Sequence, residues 1–306
     1  MNEKQRKILK GKIIKRYALY RLQYSRLRRL LKDPFRTLPY YIMQAIAYRH
    51  PFKVKKKTLW GAPMSYYLPE GNAIYYYGFF EANLTNFFIN FLREGDVCFD
   101  IGAHVGYYTM LAKELVGETG SVHSFEPTPR TFRSLAENTQ DFKNVKVNNV
   151  AVFNKETEIE FVDYGPKYSA FNSYKRRTGE DMDFLEKPKV VLAKTISLDN
   201  YCKRGSLRPT MVKIDAEGAE YIILQAMTDI IANVKPIITI EVAGGDEWKD
   251  NCAKSIELLQ SNGYECFEAT LEGQLKKHYP QATYSYENLI FVHNEKLSLI
   301  QSMRLD

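Results

Sequence analysis

An α/β fold built on a mostly parallel sheet is what this 306-residue chain predicts, on three observations. Short apolar runs alternate with segments of helical periodicity from residue 97 to residue 293. A glycine-bearing turn, Asp100-Ile101-Gly102-Ala103-His104-Val105-Gly106, directly follows the first apolar run and opens a helix. Acidic residues end further runs, at Glu126, Asp215 and Glu241, where an open α/β sheet collects its ligands.

In chain order, Leu9, Ile13, Tyr17, Tyr20, Tyr24, Leu27 and Leu31 recur at steps of four and three, the seam of an amphipathic helix. Residues 1–57 hold 18 Lys or Arg against two acids, a formal +16, whereas residues 58–306 hold 25 basic against 34 acidic residues, −9. The net charge of +7 therefore hides two regions of opposite sign. We divide the chain into a basic helical arm and connector, 1–57, and a catalytic-type domain, 58–306. The domain has a lid-like lead-in at 58–95 and a polar excursion at 154–188. Such an arm can dock on its own domain or a sister subunit, lie in an anionic lipid interface, or bind nucleic-acid phosphates.

Helical spacing at Leu84, Phe87, Phe88 and Phe91 predicts a helix over 83–92 before the turn Glu94-Gly95-Asp96. Strands follow over 97–101, 121–126 and 145–152, with helices over 107–116 and 131–138 between them. The alternation resumes with strand 211–215, helix 217–227, strand 237–242, helix 248–261, and strands over 264–269 and 289–293. Parallel strands separated by covering helices are the expected outcome.

Cys98, Cys202, Cys252 and Cys266 lie far apart with no paired spacing, so they read as buried reduced thiols. The basic N-terminus lacks the apolar core and small-residue site of a signal peptide, and no run nears the roughly 20 apolar residues of a membrane span. A cytoplasmic protein is expected, with the arm, residues 1–32, available for peripheral contact with a membrane.

In the glycine turn, Gly102 and Gly106 let the backbone bend sharply while a ligand approaches. A dinucleotide site would want G-x-G-x-x-G and helix amides aimed at a pyrophosphate. Here the pattern is D-x-G-x-x-x-G, and Asp100 would repel a pyrophosphate but can accept from the ammonium of an amino-acid moiety. S-adenosylmethionine fits this loop better than NAD. Glu126, ending the next strand, is placed to accept both hydroxyls of a ribose, and Asn149 stands where an adenine amine would be met.

These residues resemble the FkbM family of methyltransferases. The likeness rests on Gly95-Asp96 leading to the 100–109 stretch, on Phe125-Glu126-Pro127, on Phe132, Leu135 and Asn138, and on Lys213-Ile214-Asp215-Ala216-Glu217-Gly218-Ala219-Glu220. It runs from about Phe79 to His293 and leaves out the arm. It implies a Rossmann-like class I methyltransferase sheet of seven mostly parallel strands, carrying the basic helical extension, and O-methylation, often of sugars in polysaccharides, glycolipids or natural products. It marks Asp100, Gly102, Ala103, His104 and Gly106 as the donor loop, Glu126 as the ribose ligand, and Asp215 and Glu217 as facing the transferred methyl.

The donor's sulfonium is already an activated electrophile, so one base near the acceptor oxygen suffices. Asp215 is the first candidate, with Lys213 two residues earlier on the same strand face to keep it ionised, and Glu217 in the following turn. Asp215 and Glu241 can bracket a divalent ion, but no third ligand stands out and no metal is assigned. Two other functions fit part of the pattern: an RNA methyltransferase whose arm tracks phosphates, and a non-catalytic scaffold tethered by the arm.

Overall fold

A computed structural model describes residues 1–20, 25–175, 188–242, 246–279, 281 and 287–305. Among them the main sheet has nine strands, in the order β14-β12-β11-β13-β10-β9-β3-β4-β5. The parallel half is β10 (Ile237–Val242), β9 (Met211–Ile214), β3 (Val97–Ile101), β4 (Ser121–Phe125) and β5 (Val145–Asn148). β13 (Glu287–His293) joins β10 antiparallel and β11 (Tyr264–Ala269) joins β13 antiparallel. The sheet is thus the expected Rossmann-like α/β sheet, but longer by two edge strands than the seven expected. These are β12 (Leu275–Lys277) and β14 (Arg304–Leu305), of three and two residues, too short to leave a period in the sequence.

Alternate residues of β3 feed two cores. Cys98 belongs to an apolar cluster with Phe87, Phe88, Leu111 and Leu115, supplied by α5 (Ala82–Phe91) and α6 (Tyr107–Val116). Phe99 and Ile101 belong to the opposite cluster with Leu224, Met227 and Leu259, from α9 (Glu220–Gln225) and its continuation and α10 (Asp246–Ser261). That two-sided burial is why β3, β9 and β10 read as mostly apolar runs. All four cysteines are buried free thiols, as expected. The chain crosses from β5 on one flank of β3 back to β9 on the other, so a switch point opens at the carboxyl ends of β3 and β9.

Four expectations are corrected. The run 145–152 is split, Val145–Asn148 staying in the main sheet while β6 (Ala151–Val152) joins a second sheet in the order β6-β8-β7. The excursion supplies that sheet with β7 (Glu158–Asp163), and β8 (Lys189–Ile196) completes it. The connector, to which the sequence assigned no element of its own, is regular: α3 (Pro34–Arg49) is a 16-residue helix, and Lys53, Lys55, Lys56 and Lys57 lie on β1 (Phe52–Lys57), paired antiparallel with β2 (Pro63–Leu68). The arm is not one seam: α1 (Glu3–Tyr20) and α2 (Arg26–Lys32) are separate helices, and Tyr24 lies outside the described residues.

α1 docks on its own domain. Leu9 and Ile13 are buried in the cluster shared with α5 and α6, and Tyr17 packs against Phe79. The buried Arg6 guanidinium donates to the carbonyls of Ile89 at 2.6 Å and Leu115 at 3.2 Å. These are the end carbonyls that helices α5 and α6 leave without internal partners, so Arg6 caps both. No helix of the described residues is long and apolar enough to cross a membrane.

Candidate active site

A cavity opens at the switch point, walled by the turn after β3, the end of β4, the start of β6, the loop after β9, β7, and the lead-in around α4 (Asn72–Tyr77). Gly102, Ala103, His104, Glu126, Lys213, Asp215 and Glu217 all line it; Asp100, Gly106 and Asn149 do not. Seven of the ten predicted site residues therefore meet at one wall, and the other three stand behind it.

The turn is shaped by close approach. Gly102 has φ +72, and a Cβ there would lie 1.7 Å from the Asp215 carbonyl oxygen, so the crossing of the β3 and β9 loops requires glycine. The amides of Gly102 and Ala103 both donate to the Phe125 carbonyl at 3.0 Å, tying the turn to the end of β4. Gly106 (φ +92) starts α6 where a Cβ would strike Leu135. His104, a non-glycine residue at φ +51, donates its backbone amide to Glu126 Oε2 at 3.0 Å.

Glu126 is buried, and its second oxygen accepts from the Thr128 amide at 2.9 Å. Burial pushes its carboxyl above the usual range; His104 and the two amides oppose that shift. Asn149 fastens the chain behind it, donating to the carbonyls of Glu126 at 2.8 Å and Pro127 at 3.0 Å. Val150, Ala151, Val152, Phe153, Ile159 and Phe161 form an apolar wall beside it.

At the other end, Lys213 is buried, with Nζ donating to Asp215 Oδ2 at 3.1 Å and 3.4 Å from Asp100 Oδ1. It also lies 5.2 Å from the centre of the Tyr108 ring. Burial alone would lower the ammonium's pKa, but Asp215, Asp100 and Glu81 outweigh it and hold it above its ordinary range. Burial would likewise raise Asp215; Lys213 and a hydrogen bond with Glu241 outweigh burial and hold the carboxyl below the usual range. Asp100 Oδ2 accepts from Thr109 Oγ1 at 2.6 Å, so this carboxylate supports Lys213 and α6 from beneath the wall.

Asp215, Glu217 and Glu241 bring one carboxylate oxygen each within 4.8 Å of the others. Glu217 is thus the third acid that sequence spacing did not bring to the pair, and such a cluster admits either a shared proton or a divalent ion. Glu220 turns away: its Oε1 accepts from the amides of Ala216 at 3.0 Å and Gly218 at 3.2 Å, and burial pushes it up to about 7.

Three side chains that sequence reading missed support the site, Glu70 and Ser169 on the wall and Glu81 behind it. Glu70 Oε1 lies 2.7 Å from His104 Nε2, and Glu70 Oε2 accepts from Arg130 Nη1 at 3.3 Å. Ser169 Oγ is 2.8 Å from the same His104 nitrogen. Glu81, half-buried at φ +35, accepts from Tyr108 Oη at 2.9 Å and Asn288 Nδ2 at 2.6 Å behind Lys213. The only local signal for Glu81 is the helix start it precedes, and Glu70 has none, because its partners lie 34 or more residues away.

The lining suits S-adenosylmethionine. Small residues, Gly102, Ala103, Ala151, Ala216 and Ala219, leave room for a ligand, and the apolar wall at 150–153 offers an adenine surface. Glu126 is an acceptor for hydroxyls, and the acids at the ends of β9 and the lead-in are acceptors for an ammonium.

Comparison with known proteins agrees in kind. The profile of the Methyltransferase FkbM domain matches residues 100–266. Hexuronic acid methyltransferase AglP of Haloferax volcanii is 25% identical over 171 residues, 56% of this chain and 65% of that protein, so the chain spans just under two thirds of that relative's length. Among solved structures, Methyltransferase FkbM from Methylobacillus flagellatus aligns with TM-score 0.43 and 12% identity, covering 85% of this chain and 60% of that one. Aeropyrum pernix fibrillarin with bound S-adenosyl-L-methionine aligns with TM-score 0.38 and 12% identity, covering 65% and 67%.

Proposed function

Because this chain belongs to the FkbM methyltransferase family, and is accordingly an S-adenosylmethionine-dependent methyltransferase, we propose that it methylates a hydroxyl of a sugar, free or carried in a glycolipid or polysaccharide. One observation carries the proposal: Asp215 stands on the cavity wall with Lys213 beside it, a carboxylate held ionised where an acceptor would be deprotonated. The acids that line the cavity also suit a sugar, whose hydroxyls are donors in need of acceptors. The hexuronic acid methyltransferase likeness points the same way.

S-adenosylmethionine supplies a methyl group already activated by the sulfonium charge. What the chain adds is an oriented acceptor and a route for its proton. In our reading Asp215 takes the acceptor proton as the oxygen attacks, and Lys213, fixed by Asp100, keeps Asp215 ionised beforehand. Glu217 positions the acceptor. Gly102, Ala103 and His104 shape the donor pocket, Glu126 holds the ribose hydroxyls, and Gly106, Asp100 and Asn149 keep that wall in place from behind.

Methyl transfer from labelled donor to a panel of hexuronic and neutral sugar glycosides tests the proposal. Labelled glycoside, lost in Asp215→Asn, is expected; label in RNA but in no glycoside would overturn it. For a membrane contact, the seam of α1 is already used within the domain, which leaves α2 and α3 as the arm's outer surface.

A further inference from the structure

Helix α3 is apolar on two opposite sides. Inward, Thr37, Tyr40 and Ala47 are buried; Tyr40 stacks on Tyr75 at 6.1 Å and packs on Tyr76 at 4.5 Å. Outward, Phe35, Leu38, Ile42 and Ile46 follow at steps of three and four and are 93%, 51%, 53% and 51% exposed. At 100° per residue these four fall on one face of the helix, away from Tyr40. On α2, Leu27 and Leu31 are 64% and 75% exposed. Exposed Arg26, Arg28, Lys32 and Arg49 flank these residues, and Lys53, Lys55 and Lys57 follow on β1. A run of large apolar side chains in water marks a surface that has a partner.

We infer that α2 and α3 form a docking face for an anionic lipid bilayer, with Phe35, Leu38, Ile42 and Ile46 entering the headgroup boundary and the flanking Arg and Lys side chains on lipid phosphates. The charge selects this occupant. A second copy, meeting the face isologously, would set one arm of formal charge +16 against another. A nucleic acid would take the basic residues but leave the apolar row in water. An anionic membrane surface takes both, and the combination of an apolar face with a basic flank is what holds an interfacial helix. The helix lies on the surface, since no described helix can span.

The placement bears on the cavity. The inner face of α3 packs on α4, whose own Ala73 and Ile74 line the cavity. A membrane bound at the outer face of α3 is therefore separated from the cavity by two packed helices, α3 and α4. The docking face itself is independent of the methyl-transfer reading and is measured without donor or acceptor.

Co-sedimentation of the full chain with phosphatidylcholine vesicles, with and without phosphatidylglycerol, provides the test. We expect binding to the anionic vesicles at least about tenfold tighter than to phosphatidylcholine alone, and weakening as salt is added. The double variant Phe35→Ser, Ile42→Ser should bind the anionic vesicles about tenfold or more weakly with an unchanged thermal midpoint, since both side chains are exposed. The inference fails if the full chain stays in the supernatant, if the double variant binds as well as the wild type, or if sedimentation velocity shows a dimer that the double variant abolishes.

Discussion

Lys213 Nζ sits 3.1 Å from Asp215 Oδ2 in a position almost closed to solvent, so the cation of the site is supplied from inside the sheet while the carboxylate faces the cavity. Replacing one partner of such a buried pair leaves a charge without compensation, which costs about 3–5 kcal/mol. Lys213→Met should therefore lower stability by roughly that amount in chemical denaturation. It should also move the acid limb of the kcat/KM profile to higher pH, because burial then raises Asp215 with its strongest opponent removed. An unmoved limb would detach Lys213 from the ionisation of Asp215.

Gly102 provides a prediction about shape. A Cβ at φ +72 and 1.7 Å from the Asp215 carbonyl cannot be accommodated without moving the β9 loop. Gly102→Ala should cost about 2 kcal/mol or more in stability and weaken S-adenosylhomocysteine binding by at least about tenfold in calorimetry. An alanine variant as stable as the wild type would show that the two loops do not meet as described.

His104 and Glu70 lie 2.7 Å apart, and the pair makes stability depend on pH. Burial would lower the imidazole, but Glu70 outweighs it and raises the histidine above its ordinary value. A group raised in the folded state stabilises fully below its unfolded pKa, about 6.5, and loses that contribution as pH climbs through the folded value. Burial would raise Glu70, but His104 and then Arg130 lower it, so its contribution fades at the acid end. The wild-type thermal midpoint should consequently fall between about pH 6 and the alkaline side, and His104→Asn should flatten that decline. Parallel curves for the two proteins would remove the pair from the stability balance.

The arm offers a fourth prediction. Arg6 caps α5 and α6 through the Ile89 and Leu115 carbonyls, and Ile13 is fully buried beside them. Ile13→Ala should destabilise the whole protein by about 2–5 kcal/mol in a single cooperative transition. A separate early transition, with the main one unmoved, would mean that α1 folds apart from the domain.

Residues that made the central sheet legible are those buried on both faces. Val97 to Ile101 and Ile237 to Val242 are mostly apolar, interrupted only by Asp100, Thr239 and Glu241, because helices cover both sides, and the glycines between β3 and α6 mark the bend itself. β8 was not legible because Val190 and Leu192 are exposed on the face opposite buried Ala193 and Thr195, so the burial alternates but the apolar–polar pattern does not. α3 escaped for a like reason: apolar side chains on two sides erase the contrast that reveals a helix, and Pro39 lies within it. Glu70 and Glu81 escaped because their roles come from contacts across the chain, His104 for one and Tyr108 and Asn288 for the other.

The account stands most directly on Asp215 as the base that acts on the acceptor without holding the donor. Single-turnover methyl transfer by Asp215→Asn, at donor concentrations shown by calorimetry to saturate it, is the deciding measurement. The account predicts a methyl-transfer rate at least about a hundredfold below wild type at unchanged S-adenosylhomocysteine affinity. A variant that transfers methyl at the wild-type rate once saturated, or that has lost the donor along with the reaction, would contradict it.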